Sequence, residues 1–302
     1  MKAMDDSITA NNINTPLLFT SGLVESPLVI RAHMGESTVD ASLLSDGTVR
    51  LQNTQYENIQ EAMTAALPLK ESTSTAWQFW SWYSSERGAW TPLEHLRATL
   101  ETQAAPANHM VHTVKTSITH PLRIDSVSIP KVSGRIGLTF CPGKHTEGLY
   151  GGTWERDLAL DLESIKTWGG HTLVSLMEEQ EFDLLGVPDF LTLLPKEESL
   201  NWLHLPIQDM QIPDGQFEST WAKVGPQLHH QLNNGESIVI HCRGGLGRTG
   251  LLAARILIEA GIAPVQAVAI VRQARERSIE TYSQEHYVLT QAWKQTHPTH
   301  KE

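Results

Sequence analysis

A chain of 302 residues, 40% hydrophobic and 19% charged, has the make-up of a soluble globular protein and length enough for two domains. Lys plus Arg is 23 against 34 for Asp plus Glu, a formal net charge of −11, so bulk electrostatics do not draw the chain to nucleic acid. No apolar run has the length of a membrane span, no signal peptide is visible, and two cysteines make no disulfide framework; the expected setting is the cytoplasm, with no membrane partner.

Residues 1–26 are polar and turn-rich, which predicts a frayed or loosely docked terminus. A small α+β domain is expected over 27–98. Runs 28–33 and 39–44 read as strands, and Asp46-Gly47 supplies a tight turn before a third strand at 48–51. Helical spacing over 59–67 stops at Pro68, and a short helix runs through Leu96. Asp46-Gly47-Thr48, Tyr56, Trp77-x-Phe79-Trp80 and Trp90-x-Pro92-Leu93 resemble the small domain associated with restriction enzymes and adenine methylases, over roughly 28–98. That resemblance implies a recognition module and leaves nucleic acid open as a partner of this domain alone. The plainer reading makes Trp77, Phe79, Trp80 and Trp90 its core. His33, His95 and His109 are scattered and form no catalytic constellation.

Residues 99–120 are polar and weakly periodic, as a linker would be. Over 121–302 strands and helices alternate: strands at 135–140, 172–176, 202–207 and 237–240, helices at 157–168, 178–185, 217–232 and 251–259. This rhythm predicts an α/β domain whose mostly parallel sheet is flanked by helices, with a ligand loop beyond a strand's carboxyl end.

One such loop is rich in chemistry: His241-Cys242-Arg243-Gly244-Gly245-Leu246-Gly247-Arg248-Thr249-Gly250. Gly244, Gly245 and Gly247 permit backbone conformations that turn successive N–H groups into one concavity. The following helix adds its positive N-terminus, and Arg248 a planar fork for two phosphate oxygens. The same field should ionise the Cys242 thiol below the free value of about 8.5 and make it a nucleophile. His241, on the strand, should point away and tune Cys242 by bonding backbone. Cys141 reads as a buried small residue, or else as a redox partner of Cys242.

His241-Cys242-x-x-Gly245-x-x-Arg248-Thr249 resembles the signature of the protein tyrosine phosphatase superfamily. With Gly137-Leu138, Cys141-Pro142-Gly143-Lys144 and Pro206-Ile207-x-Asp209, residues 121–290 are similar to the kinase-associated-phosphatase type of dual-specificity phosphatase. The resemblance implies catalytic roles for Cys242, Arg248, Asp209 and Thr249, with phosphate held along Arg243, Gly244, Gly245, Leu246, Gly247 and Arg248. Asp209 matches the family's general acid. Asp214, after Pro213, is the alternative acid, or else starts or caps the next helix. Gln284 stands where the family carries a water-positioning glutamine, while Glu280 replaces the first glutamine of that motif. No metal or other cofactor is expected.

The expected function is hydrolysis of phosphotyrosine, with phosphoserine and phosphothreonine open, in a phosphorylated protein and through a phosphocysteine. Arg243 is the only extra cation in the loop, which keeps a phosphoinositide or nucleotide phosphatase as an alternative. A non-catalytic phosphate-binding adaptor is another.

Overall fold

The computed structural model describes residues 14–34, 37–67, 75–85, 87–104, 114–147 and 153–290. These form two compact units that part between residues 104 and 114. The first unit runs α1 (Pro16–Thr20), β1 (Leu28–Met34), β2 (Ser37–Leu43), β3 (Val49–Leu51), β4 (Thr54–Tyr56), α2 (Ile59–Ala66), α3 (Ala76–Phe79), β5 (Ser81–Ser84), β6 (Ala89–Pro92) and α4 (Leu93–Ala104). Its strands make one antiparallel sheet in the order β4-β3-β2-β1-β5-β6. Ile30, Leu43, Val49 and Trp80 are fully buried, and Trp80 Nε1 donates to the Ile59 carbonyl at 3.0 Å, which satisfies its one polar atom.

The expected loose terminus does not extend over residues 14–26. Leu18 is fully buried, and a Cβ at Gly47 would stand 2.9 Å from Pro16 Cδ, so the tight turn and α1 pack directly. Residues 1–13 lie outside the described residues. The four aromatics divide. Phe79 and Trp80 are core, meeting edge to face at 4.9 Å, whereas Trp77 and Trp90 are half-buried beneath Arg97 and Arg31. The expected linker is also shorter than 99–120: α4 continues to Ala104 and a strand begins at Val114, with 105–113 outside the described residues.

The second unit runs β7 (Val114–Thr116), β8 (Asp125–Ser128), β9 (Arg135–Phe140), β10 (His145–Glu147), β11 (Thr153–Glu155), α5 (Leu158–Trp168), β12 (Gly170–Ser175), α6 (Glu179–Leu184), α7 (Phe190–Leu193), β13 (Asn201–His204), α8 (Gly215–Asn233), β14 (Ser237–Cys242), α9 (Gly247–Glu259), α10 (Pro264–Ala274) and α11 (Tyr282–Thr290). Its main sheet has the order β13-β12-β14-β9-β8, parallel throughout except for edge strand β8. Every residue of β14 is buried, as a central strand covered on both faces requires. β7, β10 and β11 form a small separate sheet. Residues 291–302 of the expected domain lie outside the described residues. Among the described residues no helix is long and apolar enough to cross a membrane.

Candidate active site

β14 ends at Cys242, in register with Phe140 of β9, and α9 starts at Gly247. Between them the chain passes close over β9. Gly245 has φ +71°, and a Cβ there would lie 2.3 Å from the Thr139 carbonyl oxygen, so only glycine fits. The loop's carbonyls are tied to its surroundings. Arg243 O accepts from the Cys141 N–H at 3.4 Å, Gly244 O from Arg275 Nη2 at 3.2 Å, and Leu246 O from the Ile279 N–H at 3.3 Å. In a planar trans peptide the N–H opposes the carbonyl, so the N–H groups of Gly244, Gly245 and Gly247 turn the other way, into the loop. Two of them are accounted for: Gly245 N–H donates to Cys242 Sγ at 3.3 Å and Gly247 N–H to Glu280 Oε2 at 2.8 Å.

Arg248 is 1% exposed and held by its ends. Nη1 and Nη2 donate to the two oxygens of Glu181 at 2.6 and 2.7 Å, Nη1 also to Ile207 O at 2.9 Å, and Nη2 lies 2.9 Å from Asp209 Oδ1. Burial opposes the charge, but Asp209 and Glu181 outweigh it and hold the guanidinium proton above its ordinary range. Nε has no hydrogen-bond partner among the described residues. A fork with its outer nitrogens fixed therefore keeps one inner donor for a ligand. Thr249 is fully buried, and among the described residues its hydroxyl has no hydrogen-bond partner. Cys141 is fully buried, burial pushes its thiol up, and both cysteines are free.

The two candidate acids part company here. Asp209 lies on Arg248 and accepts from the Met210 N–H at 3.1 Å; Met210 itself has φ +62°, a sharp reversal after β13. Asp214 caps α8, accepting the Phe217 N–H at 2.8 Å, and lines a separate cleft of about 360 Å³ with Glu178, His204 and Gln208. Gln284 is fully buried with both ends of its amide engaged. Oε1 accepts from Glu280 N–H at 3.0 Å and Nε2 donates to Gln211 O at 3.2 Å, stitching this segment to the Asp209 loop. No group of three or more potential metal ligands occurs among the described residues.

A family model described as "Polymorphic toxin system, DSP-PTPase phosphatase" matches residues 155–262. Cyclin-dependent kinase inhibitor 3 of Rattus norvegicus is 30% identical over 173 residues, covering 56% of this chain and 77% of that protein. The chain belongs to the kinase-associated-phosphatase-like dual-specificity phosphatases. A Dictyostelium discoideum protein, named a probable protein tyrosine phosphatase type IVA A, is 36% identical over 87 residues, 27% of this phosphatase and 52% of its own length. A crystal structure of kinase associated phosphatase, its catalytic-site cysteine replaced by serine, aligns at TM-score 0.48 with 28% identity over 56% of this chain and 92% of that one.

Two of the phosphatase's site residues, Glu181 and Ser175, escape sequence reading. Glu181, the clamp on Arg248, is one glutamate among several at the start of α6. Ser175 accepts from Trp202 Nε1 at 2.8 Å and meets His241 Nε2 at 2.6 Å, a chain across β13, β12 and β14. Lys144 is buried over the Phe140 and Trp154 rings, at 4.2 and 4.7 Å, and burial pushes it down to about 8.

Burial pushes His241 down to about 3, so it is neutral throughout the physiological range. The unfolded chain protonates this histidine below its ordinary 6.5 while the native state does not, so stability falls with pH between those values. The part due to His241 is about 2 kcal/mol lost by pH 5. Urea unfolding at pH 7 and pH 5 is expected to show that loss in the wild type and its disappearance in His241→Gln.

Proposed function

We propose that the second unit is a cysteine-dependent phosphoprotein phosphatase acting on phosphotyrosine through a phosphocysteine, with phosphoserine and phosphothreonine open as further substrates. The observation that carries this reading is the loop itself. Its carbonyls are tied outward, Cys242 Sγ receives the Gly245 N–H, and Arg248 Nε is left for a ligand.

In the first step the Cys242 thiolate attacks phosphorus, a sulfur–phosphorus bond forms, and the bond to the leaving oxygen breaks while Asp209 gives that oxygen a proton. Arg248 and the N–H groups of the loop from Arg243 to Gly247 take up charge on the equatorial oxygens. In the second, water attacks the phosphocysteine, Asp209 accepts its proton, and Thr249 donates its hydroxyl to the departing thiolate. His241, neutral and locked by Ser175, holds the loop's base in place. Gln284, braced by the Glu280 N–H and the Gln211 carbonyl, uses the second hydrogen of its Nε2 to position the attacking water. A thiolate nucleophile suits a reducing compartment, and we assign the protein to the cytoplasm.

Turnover of p-nitrophenyl phosphate by the full chain, lost in Cys242→Ser while orthophosphate binding persists, is the expected result. A wild type that binds phosphate without turnover would overturn the enzymatic reading in favour of an adaptor. Release of phosphate from phosphatidylinositol phosphates but from no phosphopeptide would overturn the phosphoprotein assignment.

A further inference from the structure

The segment joining α10 to α11 contains two non-glycine residues in the left-handed region, Arg277 at φ +65° and Ile279 at φ +61°. A β-branched residue rarely adopts this conformation, and it persists only where the surroundings over-determine it. They do so here. Ile279 is fully buried, its N–H donates to Leu246 O at 3.3 Å, and Arg272 donates Nε to Ser278 O at 3.1 Å and Nη2 to Ile279 O at 3.2 Å. A Cβ at Gly250 would lie 2.8 Å from Ser278 Cβ, so the segment is pressed against the first turn of α9. Gln284 Oε1 fixes the far side by accepting the Glu280 N–H.

What this strained backbone delivers is one carboxylate. Glu280 Oε2 accepts the Gly247 N–H at 2.8 Å, at the first residue of α9, whose N-cap residue Leu246 has no side-chain cap. That N–H belongs to the inward-facing set of the loop. A carboxylate there meets the same donor and the same helix N-terminus that would meet a phosphate oxygen.

We propose that Glu280 is a specificity-determining residue, a built-in anion that competes with phosphoryl groups for the Gly247 amide and so limits how tightly the site holds inorganic phosphate and phosphate monoesters. The inference rests on the loop being a phosphate site. An arriving dianion takes over the Gly247 N–H and faces a like charge as long as Glu280 stays close. Affinity for substrate in the ground state and for the phosphate product is lowered together, which favours product release.

Calorimetric titration of the full chain with orthophosphate tests this. Glu280→Gln keeps an acceptor and removes the charge, and it is expected to tighten phosphate binding about tenfold and to lower KM for p-nitrophenyl phosphate in parallel. Glu280→Asp keeps the charge but shortens the reach, and a smaller tightening is expected. A phosphate dissociation constant that is unchanged or weaker in these variants, beside a wild type that binds, would overturn the competitor role and leave Glu280 a helix cap. Should Glu280→Gln fail to fold, the aspartate variant alone decides on the same criterion. A wild type with neither phosphate binding nor turnover would instead overturn the phosphatase reading beneath it.

Discussion

Arg248→Ala is expected to lower kcat/KM for p-nitrophenyl phosphate by about a thousandfold or more and to destabilise the fold by about 3–5 kcal/mol. The two losses have separate origins. Turnover falls because a charged donor aimed at the equatorial oxygens is gone. Stability falls because Glu181, whose side chain is 8% exposed, is left as a buried carboxylate without its bidentate partner. Asp209, at 23% exposed, is better solvated and adds less. A double variant separates the two. Arg248→Ala with Glu181→Leu removes both members of the pair, so most of the stability should return in urea unfolding while turnover stays lost. Recovery of turnover in the double variant would mean that Arg248 acts only as Glu181's counter-ion. Arg248→Lys keeps the charge but not the fork, so it is expected to retain most of the stability and little of the turnover.

The parts of this site that lie next to each other along the chain are legible in it, and the parts brought together by sheet order are not. Cys242, the three glycines and Arg248 stand in one unbroken strand–loop–helix, so residue type and spacing carry both the geometry and the chemistry. Asp209 is itself brought in by sheet order, and is legible only because Pro206-Ile207-x-Asp209, directly after β13, matches the family's pattern. Glu181 reaches Arg248 only because β12, which precedes α6, lies beside β14 in the sheet. Nothing local distinguishes it from Glu178 or Glu179. Ser175 is likewise an ordinary strand residue until β13, β12 and β14 bring Trp202 and His241 to either side of it. Glu280 is visible as a substitution within a motif, but its contact with Gly247 depends on two left-handed residues that sequence patterns do not encode. In the first unit, β4, β5 and β6 are three or four residues long, too short for an alternating pattern to declare itself.

Asp209 and Asp214 make opposite predictions, and leaving-group chemistry separates them. Asp209→Asn is expected to lower kcat about a hundred- to a thousandfold on a phosphotyrosine peptide, whose leaving oxygen needs a proton, and far less on p-nitrophenyl phosphate, whose leaving group does not. Asp214→Ala is expected to cost about 1 kcal/mol of stability through loss of the α8 cap, with Asp214→Asn nearly neutral and kcat unchanged in both. The geometry behind this is direct. Asp209 Oδ1 sits 2.9 Å from Arg248 Nη2, one side chain's swing from a phosphate held by the same guanidinium, whereas Asp214 is committed to the Phe217 N–H. For Asp214 to be the acid it would have to abandon the start of α8, and the loop that would carry it inward is tethered at Gln211 by Gln284 and at Met210 by the Thr281 hydroxyl, 3.5 Å from the Met210 carbonyl. A leaving-group-dependent loss in Asp214→Ala but not in Asp209→Asn would therefore require both tethers to open during turnover, and Gln284→Ala, which frees the loop, would then raise kcat instead of lowering it.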